Sequence, residues 1–320
     1  MVRLSLIVPT YNRAKLLAES LASFRDQSLS PECYEILVVD NNSTDDTRDV
    51  AGVVLRSTNC RWRYVFEPRQ GLHCARNKGI LEAAGEVVVF GDDDIVAEPT
   101  WLEKLLQTFD ADASVGVVGG RVKPLWDAPP PSWIYDYGTE RVHPVFAYLD
   151  YGEEPLELRT EYVFGCNFAI RRNLAIELGG SFPDTFPKKL RHLSGAGENA
   201  LVDGARGLRY KVVYSPAAIV YHHAEVQRAS LKYFVERHRR WAIEEVFDKF
   251  RSRGRFSAAA DLIAGALRRV VRAPSVCTGK RKPIYCLTVE NASAWQTMCQ
   301  SARVLVDRSL YEHITRESYL

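Results

Sequence analysis

The feature that most constrains the fold is an alternation of short, wholly apolar runs with longer amphipathic ones. "LSLIV" (4–8), "EILVV" (35–39), "RYVF" (63–66), "EVVVF" (86–90) and "VGVVGG" (115–120) read as strands. Between them, "RAKLLAESLASFRDQ" (13–27) brings Leu16, Leu17, Leu21 and Phe24 to one helical face, with Asn12 as its N-cap. A second helix follows "NNSTDDT", capped by Ser43 and with Asp45 and Asp46 in its first turn, where the helix dipole favours them. "HCARNKGILEAA" (73–84) is a third, ended by Gly85, and "PTWLEKLLQTF" (99–109) a fourth, with Pro99 at its start. Strands that are apolar throughout and separated by helices imply a mainly parallel sheet covered on both faces.

The pattern then changes. Residues 123–155 are rich in proline and aromatics and form a long irregular connection, of a kind that often carries function. "YVFGCNFAI" (162–170) and "YKVVYSPAAIVYHH" (210–223) restore strands, with a helix near "RRNLAIELGG". After about residue 226 the chain turns helical and basic, which suggests a domain over 1–226 and a basic helical region over 227–320.

Composition narrows the class. At 320 residues and 46% hydrophobic, the chain can bury a sizeable core, and a net charge of +2 gives no ground for a nucleic-acid partner. Seven cysteines, at 33, 60, 74, 166, 277, 286 and 299, form no CxxC pair and are odd in number. That predicts reduced thiols in a cytoplasmic protein, neither a disulfide framework nor a zinc site. No apolar run reaches membrane-spanning length, so the chain is expected to be soluble or to lie on a membrane without crossing it.

In an open parallel sheet, ligands bind outside the carboxyl ends of the strands. Polar residues gather there: "PTYNR" after the first strand, Asp40 after the second, and Asp92, Asp93 and Asp94 after the fourth. Helix capping explains Asp45 and Asp46, but it explains three successive aspartates on an apolar strand poorly. Adjacent carboxylates raise each other's pKa, so a positive partner is expected. Neither GxGxxG nor GxxxxGK[ST] occurs, so no glycine loop cradles phosphates. Carboxylates holding Mn²⁺ or Mg²⁺, with the ion holding a nucleotide diphosphate, supply the alternative.

"LSLIVPTYNR", "EILVVDNNSTDDT", "GLHCARNKGILEAAGEVVVFGDDD", "GCNFAIRR", "GAGEN" and "YSPAAIVYHH" together resemble, in order, the family 2 inverting glycosyltransferases with the Rossmann-like GT-A fold. The similarity spans about residues 3–223. It implies that Asp40 hydrogen-bonds the nucleotide base, that the backbone and side chains of "PTYNR" (9–13), Pro9, Thr10 and Tyr11 foremost, flank base and ribose, and that Arg76 contacts the nucleotide. It further implies that the DDD run is a D-x-D motif. Asp92 would face the ribose, Asp93 would belong to the donor site, and Asp94 would bind the metal, with His222 closing the metal site. His223 points to the opposite face of its strand, so at most one of the two histidines enters the site. "GCNFAI" would floor the donor sugar, with Gly165 admitting a ligand to the backbone. The family's base lies in an acidic pair after a glycine. Here the pair is Glu198–Asn199, which leaves Glu198 as the expected base and Asp203 as the weaker candidate. Helix capping is the plainer role for Glu198, an ordinary strand end for His222, and a solvated helix position for Arg76.

The implied reaction moves a sugar from a nucleotide-diphosphate sugar to a hydroxyl of a glycan or lipid-linked acceptor, as in polysaccharide or glycolipid synthesis. Trp126, Trp133, Tyr135 and Tyr137 are candidates for stacking on acceptor sugars or for packing. Between 227 and 282, fifteen Lys and Arg stand against five Asp and Glu, or +10. Leu231, Phe234, Val235, Leu262, Ile263 and Leu267 interleave with them, so amphipathic helices on an anionic cytoplasmic membrane surface are one expectation and a solvated helical tail the other. Two rival functions stand beside this one. A sugar nucleotidyltransferase would release pyrophosphate, not a nucleoside diphosphate, and "VPTYNRAK" is not the triphosphate loop it needs. A non-catalytic nucleotide-sugar-binding module would hydrolyse no donor.

Overall fold

In a computed structural model, the described residues are 1–131, 142–143, 148–161, 163–180, 197–233 and 235–239, with single positions 242, 246, 260, 295, 297 and 299 beyond them. The chain divides into two compact units, and the first comprises Met1–Asp127, Glu140–Pro183 and Ala196–Ala224. That unit carries the sheet.

Strands β1 (Leu4–Thr10), β2 (Tyr34–Asp40), β3 (Arg61–Phe66) and β4 (Val87–Phe90) are mutually parallel in the order β3-β2-β1-β4, with β1 paired to both β2 and β4. They alternate with α1 (Ala14–Arg25), α2 (Thr47–Leu55) and α3 (Leu72–Glu82). Beyond β4 come β5 (Ile95–Ala97), α4 (Trp101–Ala111) and β6 (Val115–Trp126), then the two-residue strands β7 (Val142–His143), β8 (Tyr148–Leu149) and β9 (Leu156–Glu157). The last described elements of this unit are β10 (Phe168–Arg171), α5 (Arg172–Glu177), α6 (Gly197–Gly207) and β11 (Lys211–Ala224). Among the described residues the sheet has eleven strands, and its main path continues β4-β10-β6-β11-β5. β6 and β11 are parallel, whereas β10 is antiparallel to both neighbours and β5 antiparallel to β11. The expected mainly parallel sheet flanked by helices is therefore present, with one reversed strand inserted near its middle.

The strands are buried because they are sandwiched. Every residue of β1, β2 and β4 is buried, and Leu17, Leu21 and Phe24 of α1 pack into the same core. Burying such side chains contributes about 1.5–3 kcal/mol each before conformational entropy is counted. A tripod of hydrogen bonds ties the second half of the sheet together. Asn167, fully buried, accepts from Trp101 Nε1 at 2.8 Å and donates to the carbonyls of Arg121 and Ala218, both at 2.9 Å. A Cβ on Gly120 would fall 2.2 Å from the Ala218 carbonyl oxygen and 2.3 Å from the Asn167 amide, so that position needs glycine.

Local punctuation differs from the sequence reading. Asn12 does not cap α1: it turns the chain at φ 51°, and Arg13 takes the cap position. Ser43 does not cap α2, which starts at Thr47 after Asp46. Its hydroxyl instead accepts from Asn12 N–H, while Asn12 Oδ1 accepts from Thr44 N–H at 2.7 Å. These side chains bond across two neighbouring loops, a pairing that local propensity does not contain. Gly85 lies past the end of α3, where a Cβ would meet the Leu4–Ser5 backbone at 2.7 Å. "YVFGCNF" is not continuous strand: residues 165–167 form a 3₁₀ turn before β10.

Candidate active site

The carboxyl ends of β1, β2 and β4 open onto one cleft of about 370 Å³, lined by Pro9, Thr10, Tyr11, Arg13, Asn41, Gln70, Gly71, Leu72, Ala75 and Asp92–Asp94. Register explains why the acidic run arrives there. Phe90 pairs with Ile7, so β1 runs three residues past the end of β4, and the aspartates fall beside the end of β1. The acidic run does not enter a helix directly. It bends into β5, which pairs with β11 and places His222 opposite Ile95.

Thr10 is buried at the cleft and Tyr11 is half exposed above it. Asp40 is buried, and both of its oxygens accept protein hydrogens: Oδ1 from Ser43 N–H at 3.0 Å and Oδ2 from the Tyr64 hydroxyl at 2.6 Å. Burial and the neighbouring Asp40 carboxylate push the Tyr64 hydroxyl pKa up, so it stays a donor. Asn41 shapes the opposite wall. Its Nδ2 donates to the carbonyls of Glu67 and Arg69, and its Oδ1 accepts from Gly71 N–H at 2.7 Å. Gly71 adopts φ 144°, a conformation that glycine permits, and α3 starts immediately after it.

Two arginines meet the acidic run. Arg13 Nη1 lies 3.1 Å from Asp93 Oδ1 and 2.9 Å from Asp94 Oδ2, and its side chain is 46% exposed. Arg76 is almost wholly buried, with its side chain 4% exposed. Nη2 donates to Asp92 Oδ1 at 3.0 Å, Nη1 lies 3.5 Å from Glu198 Oε2, and the guanidinium stands 5.4 Å over the Phe90 ring. Burial and, to a lesser degree, the Asp94 carboxylate raise the Asp93 pKa to about 6 against the pull of Arg13. The structure thus supplies two cations for the acidic run, neither adjacent to it in sequence. Gly165 admits a side chain here: a Cβ would fall 2.6 Å from Arg76 Nη2 and 2.7 Å from Nη1.

His222 Nε2 lies 3.4 Å from Asp94 Oδ1, and among the described residues its buried Nδ1 has no hydrogen-bond partner. His223 turns the other way, to Glu19 Oε2 at 3.2 Å, as strand alternation requires. Among the described residues no three His, Cys, Asp or Glu side chains converge to hold a metal by themselves. A carboxylate beside an imidazole still offers two ligands to an Mn²⁺ or Mg²⁺ ion that shares its shell with substrate phosphates.

Glu198 sits in the first turn of α6 with its side chain 14% exposed. Burial raises its pKa, and Arg76 opposes that shift. Asp203 lies on the same helix but is 76% exposed and bonded to Arg206 at 3.1 Å. Of the acceptor candidates, Trp126 ends β6, while Trp133, Tyr135 and Tyr137 lie outside the described residues. The resemblance places Arg13 only within the "PTYNR" stretch around base and ribose, not on the aspartates, and Asn41, Gln70 and Tyr64 carry no expectation from the sequence. The position of Arg13 one residue past "PTYN" at a strand end was the available signal. Tyr64 becomes visible only through the β2–β3 pairing, which sets Val38 against Tyr64.

An acidic crevice at the carboxyl ends of a sheet with this order is the arrangement of the GT-A fold. Similar solved structures include a mannosyltransferase from Pyrobaculum calidifontis in complex with GDP-Man and Mn²⁺. It is 21% identical, covers 96% of this chain and 88% of that one, and has a TM-score of 0.60. S. aureus TarS 1–349 in complex with UDP is 20% identical over 94% of this chain and 91% of that one, with a TM-score of 0.55. Among curated proteins, the glucosyl-dolichyl phosphate glucuronosyltransferase of Haloferax volcanii is 28% identical over 74% of each chain. The family model for glycosyl transferase family 2 matches residues 5–179. The chain belongs to glycosyl transferase family 2 and is a glycosyltransferase.

Proposed function

We propose that residues 1–226 form the catalytic domain and transfer the sugar in a single inverting displacement that depends on a divalent metal, with Glu198 as the base. The observation that carries this reading is the shared guanidinium of Arg76, whose Nη2 lies 3.0 Å from Asp92 and whose Nη1 lies 3.5 Å from Glu198, so that one buried cation joins the expected base to the acidic run. Pro9, Thr10 and Tyr11 would hold base and ribose, and Asp40 would accept from a ring N–H of the base. Asp92 would take a ribose hydroxyl, and Asp93 would support the donor through Arg13. Arg76 serves the site from beneath, as a positioning residue for Asp92 and Glu198. Asp94 and His222 would hold Mn²⁺ or Mg²⁺, which when bound supplies Lewis-acid stabilisation of the departing nucleoside diphosphate. Glu198 Oε1 or Oε2 accepts the proton of the acceptor hydroxyl as that oxygen attacks the anomeric carbon. The name of the Haloferax relative, with its glucosyl-dolichyl phosphate, supports a lipid-linked acceptor.

The test is Glu198→Gln. Transfer is expected to fall by about 10²–10⁴-fold with donor affinity unchanged by calorimetry. In the parent enzyme the rate should drop as pH falls through the raised Glu198 pKa, because the base must be ionised, and this limb should vanish in the variant. Parent-level transfer by Glu198→Gln would remove Glu198 from the mechanism.

The basic stretch 227–282 lies largely outside the described residues, and among those described no helix is long and apolar enough to cross a membrane. We assign that stretch to an anionic cytoplasmic membrane surface on its charge pattern. Flotation with anionic vesicles should rise with anionic lipid and weaken with salt. Failure to float at low salt would return the arginines to the acceptor.

A further inference from the structure

Arg13 and His222 take the two oxygens of one carboxylate. Arg13 Nη1 lies 2.9 Å from Asp94 Oδ2, and His222 Nε2 lies 3.4 Å from Asp94 Oδ1. A cation held by Asp94 and His222 therefore competes with Arg13 for the same negative charge, and two cations on one buried carboxylate repel. Three features make Arg13 the partner that yields. Its bonds to Asp93 and Asp94 both use one nitrogen, Nη1, which is weaker than a two-nitrogen fork. Its side chain is 46% exposed, whereas those of Asp93 and Asp94 are 7% and 9%. It also lines the cleft beside Pro9, Thr10 and Tyr11, so it can leave the aspartates without leaving the site.

We propose that Arg13 is a resident counter-ion that neutralises Asp93 and Asp94 in the donor-free protein, releases Asp94 to the divalent metal, and moves to the diphosphate when donor binds. The proposal rests on the metal-dependent reading above. It assigns a role in metal and diphosphate binding to a residue that reacts with nothing itself.

The experiment uses the full chain, Arg13→Met and Arg13→Lys. Free Mn²⁺ is counted by electron paramagnetic resonance without nucleotide, and thermal unfolding is followed in chelator and in Mn²⁺. Losing a charge-assisted competitor should tighten Mn²⁺ binding by about ten- to hundredfold in Arg13→Met, with Arg13→Lys between it and the parent. Arg13→Met should melt below the parent in chelator and regain more stability than the parent when Mn²⁺ is added. With Mn²⁺ saturating, the tighter-binding of UDP and GDP should lose about tenfold in affinity for Arg13→Met. Equal Mn²⁺ affinity in all three proteins overturns the role of Arg13 while leaving the metal reading intact. Unchanged diphosphate affinity overturns the transfer of Arg13 to the donor. Absence of Mn²⁺ binding in every protein, with or without UDP and GDP, overturns both readings.

Discussion

Arg13 and Arg76 serve the same run of aspartates from opposite sides of the water boundary. Arg13 reaches Asp93 and Asp94 with one nitrogen and nearly half its side chain in solvent. Arg76 reaches Asp92 and Glu198 with two nitrogens from a position 4% exposed, pinned over Phe90 and fitted against Gly165. A cation that is half in solvent can swing to another partner if a second cation takes its place on the buried carboxylates, whereas a buried cation has no solvated position to move to. The difference separates a replaceable cation, at the place where a metal is expected, from a permanent one that fixes the geometry of the expected base.

The strongest way to break this comparison is Arg76→Met. It removes a buried cation and leaves the part-buried Asp92 and Glu198, 25% and 14% exposed, without it, and urea unfolding should show a loss of up to about 3 kcal/mol. Removing the guanidinium also removes what holds the Glu198 pKa down, so the limb at which transfer falls with acidity should move to higher pH. A variant that unfolds like the parent and keeps the parent's pH profile would show that the buried position is incidental. Gly165→Ala is the next largest. Its Cβ must displace Arg76 without removing its charge, so stability should fall by about 1–3 kcal/mol. Transfer should fall by about ten- to hundredfold through misplacement of Glu198. Donor affinity should change less than rate, and the opposite split would place Arg76 on the nucleotide. Asp203→Asn should do least. Its carboxylate is 76% exposed, and Arg206 keeps its bonds to the carbonyls of Leu158 and Glu161, so stability should shift by less than about 0.5 kcal/mol with transfer unchanged. A large loss of transfer would make Asp203, not Glu198, the residue nearest the chemistry.

The parts of this site legible in the sequence are those written in one stretch of chain. The apolar runs located β1, β2, β4 and β6, and the polar residues following them located the cleft, because side chains at a strand's end are fixed by the strand itself. The alternation of His222 and His223 was equally local. What was hidden depended on pairing between distant segments. β10 reverses direction between β4 and β6, and no property of "FAIR" alone reveals which neighbours it will join. Arg76 read as a nucleotide contact and Gly165 as an opening for ligand, and each takes its structural setting from the other across an interval the sequence leaves blank. The same holds for Tyr64 and Asp40. The loop bonds of Asn12 and Ser43, and that of Asp45, whose Oδ2 accepts from Ala14 N–H at 3.1 Å, look like ordinary helix caps until the two loops stand side by side.

The pairing of Arg13 with Asp94 also bears on how the cell's metals are told apart. An open carboxylate–imidazole pair favours copper and zinc over manganese and magnesium, whatever the enzyme requires. On the proposed exchange of Arg13, every ion that arrived alone at Asp94 and His222 would meet the same displacement penalty. Zinc and copper would then lose much of the occupancy that raw affinity would give them. A diphosphate that brought manganese or magnesium on its own oxygens would offset the penalty by offering Arg13 a new anion. Discrimination would then pass from the two proposed ligands to the substrate, whose hard oxygens would choose the metal before the protein meets it.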